Sequence, residues 1–136
     1  GHTDYDDWVR GLTTEGVKAF LRRTIAQRFD PITTDPAFLD WFLDVAAEND
    51  PRFLARYVRM MTAVDFGDRM KDIRCPCLFV LPGGDPNQSD AHYDVLKDVL
   101  DHEFRVYAGL AHNITDSVPD RCAADLAGFL AQRGGG

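Results

Sequence analysis

The sequence lacks the features that would direct it to a membrane, a nucleic acid or a metal ion. It has no apolar run long enough to span a bilayer and no basic segment followed by an apolar stretch, so we expect no membrane partner and no signal peptide. Acidic residues outnumber basic ones by 22 to 15, and the net charge of −7 argues against binding to nucleic acid. The three cysteines lack metal-ligand spacing, which predicts buried free thiols, a reducing cytoplasmic location and no metal.

Serine is also scarce. Ser89 and Ser117 are the only two in the sequence. Neither follows a predicted strand and opens a helix, which is the strained turn that a serine nucleophile occupies. Ser89 is interpreted as a loop residue near a helix start, and Ser117 as part of the turn before Pro119. The sequence therefore predicts a chain without a serine nucleophile of its own.

The first half of the chain, residues 1–73, is predicted to be helical throughout. Apolar residues recur at spacings of three and four in four successive segments, followed by a final short helical piece. Asp35-Pro36 and Asp50-Pro51 are typical of helix starts, because the aspartate caps and the proline fits the first turn. Thr13-Thr14 is predicted to cap the second helix. We predict a domain of about four short amphipathic helices.

The hydrophobic pattern changes in the second half. Cys77–Leu81 is a continuous apolar run bounded by prolines and glycines, which predicts a strand buried on both faces. Asp90–Val99 is predicted to be a helix, Glu103–Gly109 a second strand, and Pro119 the start of a last helix. The order strand, helix, strand, helix indicates the α/β class with parallel strands.

Two parallel strands do not complete a sheet. Strands that are apolar on both faces belong inside a larger sheet, and two strands alone leave unpaired edges. We therefore predict that residues 74–133 form the C-terminal part of a larger α/β core, with a flexible tail at 134–136. The unpaired edge predicts self-association of the isolated chain into a homo-oligomer.

Asp85 and His112 are the candidate catalytic pair. Each comes directly after a predicted strand, and the carboxyl ends of neighbouring parallel strands meet at the edge of a sheet where ligands bind. A carboxylate beside an imidazole fixes its tautomer and stabilises the imidazolium, as a nucleophile's general base requires. Taken singly, each residue could equally be a turn or surface residue. His92 and His102 are interpreted as surface residues.

The stretch from about Trp8 to Leu130 resembles the cap and C-terminal half of an α/β-hydrolase. It is especially similar to the 3-oxoadipate enol-lactonase-like branch of small-cap esterases and lactonases. The segment DFGDRMKDIRCPCLFVLPGGDP resembles the cap exit, the penultimate strand and the acid loop of that family. The segment FRVYAGLAHNITDSVPDRCAADLAGFL resembles its last strand, histidine loop and terminal helix. In chain order such enzymes carry nucleophile, acid and histidine, so the resemblance maps the acid onto Asp85 and the base onto His112.

The resemblance also implies what this sequence lacks. The Gly-x-Ser-x-Gly motif is absent, so the nucleophile and the oxyanion-hole loop are expected on an N-terminal portion ahead of Gly1. That portion is the expected partner, the isolated chain is expected to be inactive, and no cofactor is implied. The substrate is expected to be a small-molecule ester or lactone. Cap residues of this family cover the active site, which makes candidates of Trp41, Phe42, Tyr57 and Met61, although core packing between helices also explains them.

Two alternatives remain open at this stage. The chain could be a non-catalytic binding or interaction module that keeps the scaffold, because a fold does not establish an activity. It could also belong to a related haloalkane dehalogenase or haloperoxidase, since these enzymes differ mainly in the half that this sequence lacks.

Overall fold

The computed structural model describes residues 4–85 and 90–133. Within them the chain is mostly helical and carries a two-stranded parallel sheet, which is compatible with a partial α/β fold. None of the helices in these two ranges combines the length and the apolar character needed to cross a membrane. The predicted tail at 134–136 and Ser89 lie outside the described residues.

The chain divides after Asp65 into two compact units, and the first is helical as predicted. Asp35 and Asp50 cap their helices as expected, with side-chain oxygens that accept from the backbone N–H two residues on at 2.9 Å and 2.8 Å. The Thr13-Thr14 cap prediction was wrong, because both threonines lie in the last turn of the preceding helix and bond back to its carbonyls. The elements are α1 (Tyr5–Thr14), α2 (Val17–Arg23), a 3₁₀ turn (Ile25–Gln27), α3 (Pro36–Ala47) and α4 (Pro51–Ala63).

The core of the first unit lies between these helices. Phe20 is 1% exposed, and its ring meets the Trp8 ring edge-on at a centroid distance of 6.1 Å. Ring contacts of this kind add to the free energy gained by burial. The other buried members of the cluster are Val9, Leu12, Val17, Leu21, Leu43, Ala55 and Val58.

The second unit contains the sheet. Its first segment, Gly67–Asp72, was predicted to belong to the helical half, but it contacts the 3₁₀ helix Asp90–Asp98 and so joins the second unit. The segment predicted as a helix after the first strand is this 3₁₀ helix. The elements are the 3₁₀ helix Gly67–Asp72, β1 (Cys77–Pro82), the 3₁₀ helix Asp90–Asp98, β2 (His102–Tyr107), α5 (Ile114–Ser117) and α6 (Pro119–Arg133).

The two strands pair in parallel, from Cys77 opposite His102 to Pro82 opposite Tyr107. The prediction that β1 is buried on both faces was wrong, because every residue of β1 is only partly buried. Within the described residues the sheet has two strands, so neither is flanked on both sides. Its two faces differ: Tyr107 is fully buried against α6, whereas Val106 is 58% exposed.

The cysteines depart from the sequence prediction in burial. All three are free, as expected, but Cys75 is exposed and Cys77 and Cys122 are only partly buried.

Candidate active site

The loop that follows β1 is held against the loop that follows β2 by backbone hydrogen bonds. The N–H of Gly83 donates to the Tyr107 carbonyl at 2.9 Å, and the N–H of Gly84 donates to the Leu110 carbonyl at 3.0 Å. A Cβ atom on Gly83 would lie 2.9 Å from the Ala108 Cα, so only glycine permits this approach. The parallel pairing therefore continues past the strands and brings the two loops together.

A tight turn then redirects the chain after β2. Gly109 adopts φ +76°, in the left-handed region that glycine occupies without strain, and the Leu110 N–H donates to the Tyr107 carbonyl at 3.3 Å. Just beyond, the Ile114 N–H donates to the His112 carbonyl at 3.0 Å, where α5 begins. His112 thus lies between a glycine turn and a helix start, both of which constrain its backbone.

Asp85 and His112 are in direct contact. The Nδ1 atom of His112 lies 2.8 Å from Oδ2 of Asp85. The Asp85 side chain is 1% exposed and the His112 side chain is 48% exposed. Because a carboxylate only accepts hydrogen bonds, this contact places the imidazole proton on Nδ1 and leaves the lone pair of a neutral ring on Nε2. The contact expected from strand order is confirmed, while the catalytic roles of the two residues stay predictions.

A third side chain completes the cluster. The hydroxyl of Tyr93, on the 3₁₀ helix Asp90–Asp98, donates to the same Oδ2 of Asp85 at 3.1 Å. From the sequence, the residues of this segment are predicted only to form a helix. Their helical spacing gave no signal that one of them would bring a polar group to the acid.

The other nitrogen of His112 is available for chemistry. Across the described residues, no hydrogen bond to Nε2 of His112 is present. The Ser117 hydroxyl is engaged elsewhere, since it donates to the Asn113 carbonyl at 2.9 Å. The Cys122 thiol is directed to the Ile114 carbonyl at 3.8 Å. In the described part of the chain, the imidazole of His112 is thus oriented by a carboxylate, with no serine hydroxyl or cysteine thiol against its Nε2.

A cavity of about 380 Å³ opens beside this cluster. Tyr93 contributes to its wall, so the residue that contacts Asp85 also contacts this space. Within residues 4–85 and 90–133, no three histidine, cysteine or acidic side chains come together as metal ligands would. The cavity is lined by Leu81, Pro82, Tyr93, Asp94, Lys97, Phe104 and Val106.

The four predicted substrate-binding residues all lie in the first unit. Trp41 and Phe42 are on α3, where Trp41 is 59% exposed and Phe42 packs edge-on against Phe29 at a centroid distance of 5.1 Å. Tyr57 and Met61 are on α4 and are 48% and 40% exposed. Phe42 therefore has a packing role in the core, whereas the other three present free apolar surface that a ligand could use.

The chain was compared with known proteins. It matches no protein-family model, no curated protein and no solved structure. The function therefore has to be inferred from the geometry of Asp85, His112 and Tyr93.

Proposed function

We propose that this chain supplies the acid and the base of a serine-type α/β-hydrolase that cleaves an ester or a lactone. His112 is the general base, and Asp85 orients its ring. The nucleophile and the oxyanion-hole donors come from an N-terminal portion of the fold, outside the described residues. The helical first unit, with Trp41, Tyr57 and Met61 on its surface, corresponds to the cap of that family.

The chemistry assigns one task to each nitrogen of His112. Nε2 accepts the proton of the nucleophile's hydroxyl while its oxygen attacks the carbonyl carbon. The imidazolium then donates that proton to the leaving alkoxide, and an acyl-enzyme forms. A water molecule, deprotonated by the same Nε2, then attacks the acyl-enzyme. The imidazolium returns that proton to the nucleophile's oxygen as the acid product leaves, which restores the neutral ring. Nδ1 stays protonated and hydrogen-bonded to Asp85 throughout.

One observation carries the proposal: the buried Asp85 carboxylate accepts from Nδ1 of a half-exposed His112 at 2.8 Å. In His112 one nitrogen is anchored to a buried carboxylate, and the other has no partner among the described residues. His102 differs, because its Nδ1 contacts a backbone carbonyl. An imidazole with one nitrogen held by a carboxylate and the other open suits a general base. The chain order, acid before histidine at successive strand ends, suits the α/β-hydrolase arrangement.

The test uses the chain purified, under native conditions, from the cells that make it. The preparation is treated with a fluorophosphonate, which labels activated serine nucleophiles, and each polypeptide present is measured by intact mass. We expect label on a serine outside the described residues, together with hydrolysis of a chromogenic short-chain ester. His112→Ala should lower both by about 10²-fold or more, because it removes the general base.

Two further variants sharpen the result. Asp85→Asn should also lower the rate, because an amide N–H facing Nδ1 favours the tautomer with its proton on Nε2. His102→Gln should leave the rate unchanged, because the Nδ1 of His102 contacts the Val99 carbonyl at 2.6 Å and not Asp85. A preparation with neither label nor hydrolysis would refute the proposal in favour of a binding module. Hydrolysis by this chain alone that disappears in His112→Ala would refute the assignment of the nucleophile to another portion.

A further inference from the structure

We infer that Tyr93 is a positioning residue that sets the basicity of His112 through Asp85. Its hydroxyl and the imidazole of His112 share a single carboxylate oxygen, and the tyrosine thereby limits how strongly Asp85 stabilises the imidazolium. The catalytic consequence rests on the proposed function. The effect on His112 itself is a property of the folded chain and is measured without any catalysis.

The inference is carried by two hydrogen bonds to the same atom. Oδ2 of Asp85 accepts from Tyr93 at 3.1 Å and from Nδ1 of His112 at 2.8 Å. The Asp85 side chain is 1% exposed, so the carboxylate itself is shielded from water, whereas the His112 side chain is 48% exposed. A carboxylate oxygen can accept two hydrogen bonds, so the tyrosine hydroxyl and the imidazole can both bond to it.

The electrostatic consequence has a definite sign. A hydroxyl that donates to a carboxylate disperses part of its negative charge. The remaining charge then stabilises a neighbouring imidazolium less than an undonated carboxylate would. Removal of the Tyr93 hydroxyl should therefore raise the pKa of His112, and a stronger donor at the same position should lower it.

The acidic side chains that neighbour Tyr93 and His112 in sequence bond to other residues. On the 3₁₀ helix of Tyr93, Asp94 is paired with Lys97 at 2.5 Å, and both side chains are more than 60% exposed. On the histidine side, the carboxylate of Asp116 accepts from the Asn113 amide at 3.0 Å. Both acids are engaged in local pairs. Of the described acidic side chains, Asp85 alone is recorded in contact with His112.

The test is an NMR titration of the histidine Cε1–H resonances in the purified chain and in Tyr93→Phe. Phenylalanine keeps the ring that lines the cavity and removes only the hydroxyl. We expect the His112 resonance to titrate at higher pH in Tyr93→Phe than in the original chain, and the His102 resonance to be the same in both. The His112 resonance is assigned by its loss in His112→Gln.

Three comparisons separate this effect from a loss of structure. Tyr107→Phe removes a different tyrosine hydroxyl, bonded to Asp125 in the same unit, and should leave the His112 pKa unchanged. In the Asp85→Asn background, Tyr93→Phe should have no effect on His112, because the carboxylate charge that the hydroxyl disperses is gone. Site-specific 3-fluorotyrosine at position 93, whose hydroxyl is a stronger donor, should lower the His112 pKa. Local unfolding would break the Asp85–His112 contact and lower the His112 pKa, so it cannot mimic the rise expected in Tyr93→Phe.

The outcomes that overturn the inference are equally specific. An unchanged or lowered His112 pKa in Tyr93→Phe would contradict it, as would an equal rise in Tyr107→Phe or in the Asp85→Asn background. A shifted titration with no hydrolysis in any preparation would leave the tyrosine's role intact and refute only the hydrolase assignment.

Discussion

Among single residues, Tyr107 is the most enclosed side chain of the second unit that carries a polar group. It is fully buried at the end of β2, and its hydroxyl donates to the carboxylate of Asp125 on α6. The guanidinium of Arg121 lies 3.9 Å from the centroid of the same ring. One side chain therefore links the sheet to the helix that covers it.

We expect Tyr107→Phe to destabilise the chain by about 1–2 kcal/mol, because it removes this hydrogen bond and leaves the Asp125 carboxylate short of a donor. Urea denaturation followed by circular dichroism measures the change. Tyr57→Phe is the matched control: Tyr57 is 48% exposed, so its loss of a hydroxyl should change the unfolding free energy by less than about 0.5 kcal/mol. Equal effects in the two variants would show that the Asp125 contact contributes nothing.

The same residue predicts a pH dependence. Burial, with the Asp125 hydrogen bond second, raises the pKa of Tyr107 well above its usual range. A raised pKa in the folded state means that the stabilisation is present below the unfolded tyrosine's pKa of about 10 and is lost at higher pH. The difference in unfolding free energy between the original chain and Tyr107→Phe should therefore shrink above pH 10. A difference that stays constant there would contradict the assignment.

The residues of the candidate site were predictable to different degrees. Asp85 and His112 could be found from the sequence, because parallel strands joined by a crossover bring their carboxyl ends to one edge. The contact of Tyr93 with Asp85 could not, because it depends on the angle at which the following element packs on the sheet. Helical periodicity reports which side of an element faces inward, but it does not report which buried atom lies opposite.

At the scale of elements, the junction between the two site loops is the most constrained feature. Gly83 and Gly84 extend the backbone pairing of β1 to residues that follow β2. This extension, rather than any side-chain contact, fixes the separation of the loops that carry Asp85 and His112.

We expect Gly83→Ala to destabilise the chain by about 1–3 kcal/mol and to weaken the Asp85–His112 contact. The added Cβ would lie 2.9 Å from the Ala108 Cα, a backbone atom that cannot move without displacing the loop. Thermal unfolding measures the first effect and the His112 titration the second, since loss of the carboxylate contact lowers the histidine pKa.

The control is Gly128→Ala in the exposed face of α6, where an added Cβ meets nothing within 4 Å. There the substitution should stabilise by roughly 0.5–1 kcal/mol, since alanine is the better helix former. A Gly83→Ala variant as stable as the original, with an unchanged His112 titration, would show that the loops tolerate a wider separation.

Elements were predictable where a local rule decides them. Asp35-Pro36 and Asp50-Pro51 start helices as expected, because capping depends only on neighbouring residues. The segment Asp90–Asp98 forms a 3₁₀ helix instead of the expected α-helix, which the apolar pattern does not distinguish. The exposure of β1 depends on how many strands surround it, which is not a local property of Cys77–Leu81.

At the scale of the whole molecule, neither outer edge of the sheet pairs with a further strand within the described residues. The N–H groups of Cys77 and Gly83 point toward β2, so by the alternation of a parallel ladder those of Leu78 and Val80 point away from it. Pro82, the next outward position, has no N–H. On the other strand, β2, Val106 exposes apolar surface on one face of the sheet. An edge and an apolar face together form a template for association.

We therefore expect the isolated chain to self-associate through the sheet. Its net charge of −7 opposes this, so association should strengthen as salt at about 0.15 M shortens the Debye length to about 8 Å. Light scattering coupled to size exclusion, over a range of concentrations, measures the mass.

Val106→Lys should shift the chain toward monomer, because it places a charge on the exposed apolar face. It also brings the net charge closer to zero, which by itself would favour association, so a shift to monomer identifies the surface involved. Leu130→Lys on α6 is the matched control, since Leu130 is 57% exposed against 58% for Val106. If both variants dissociate equally, association is nonspecific. If the original chain is monomeric at every concentration and salt, the unpaired edge does not act as a template and the sheet needs no further strand.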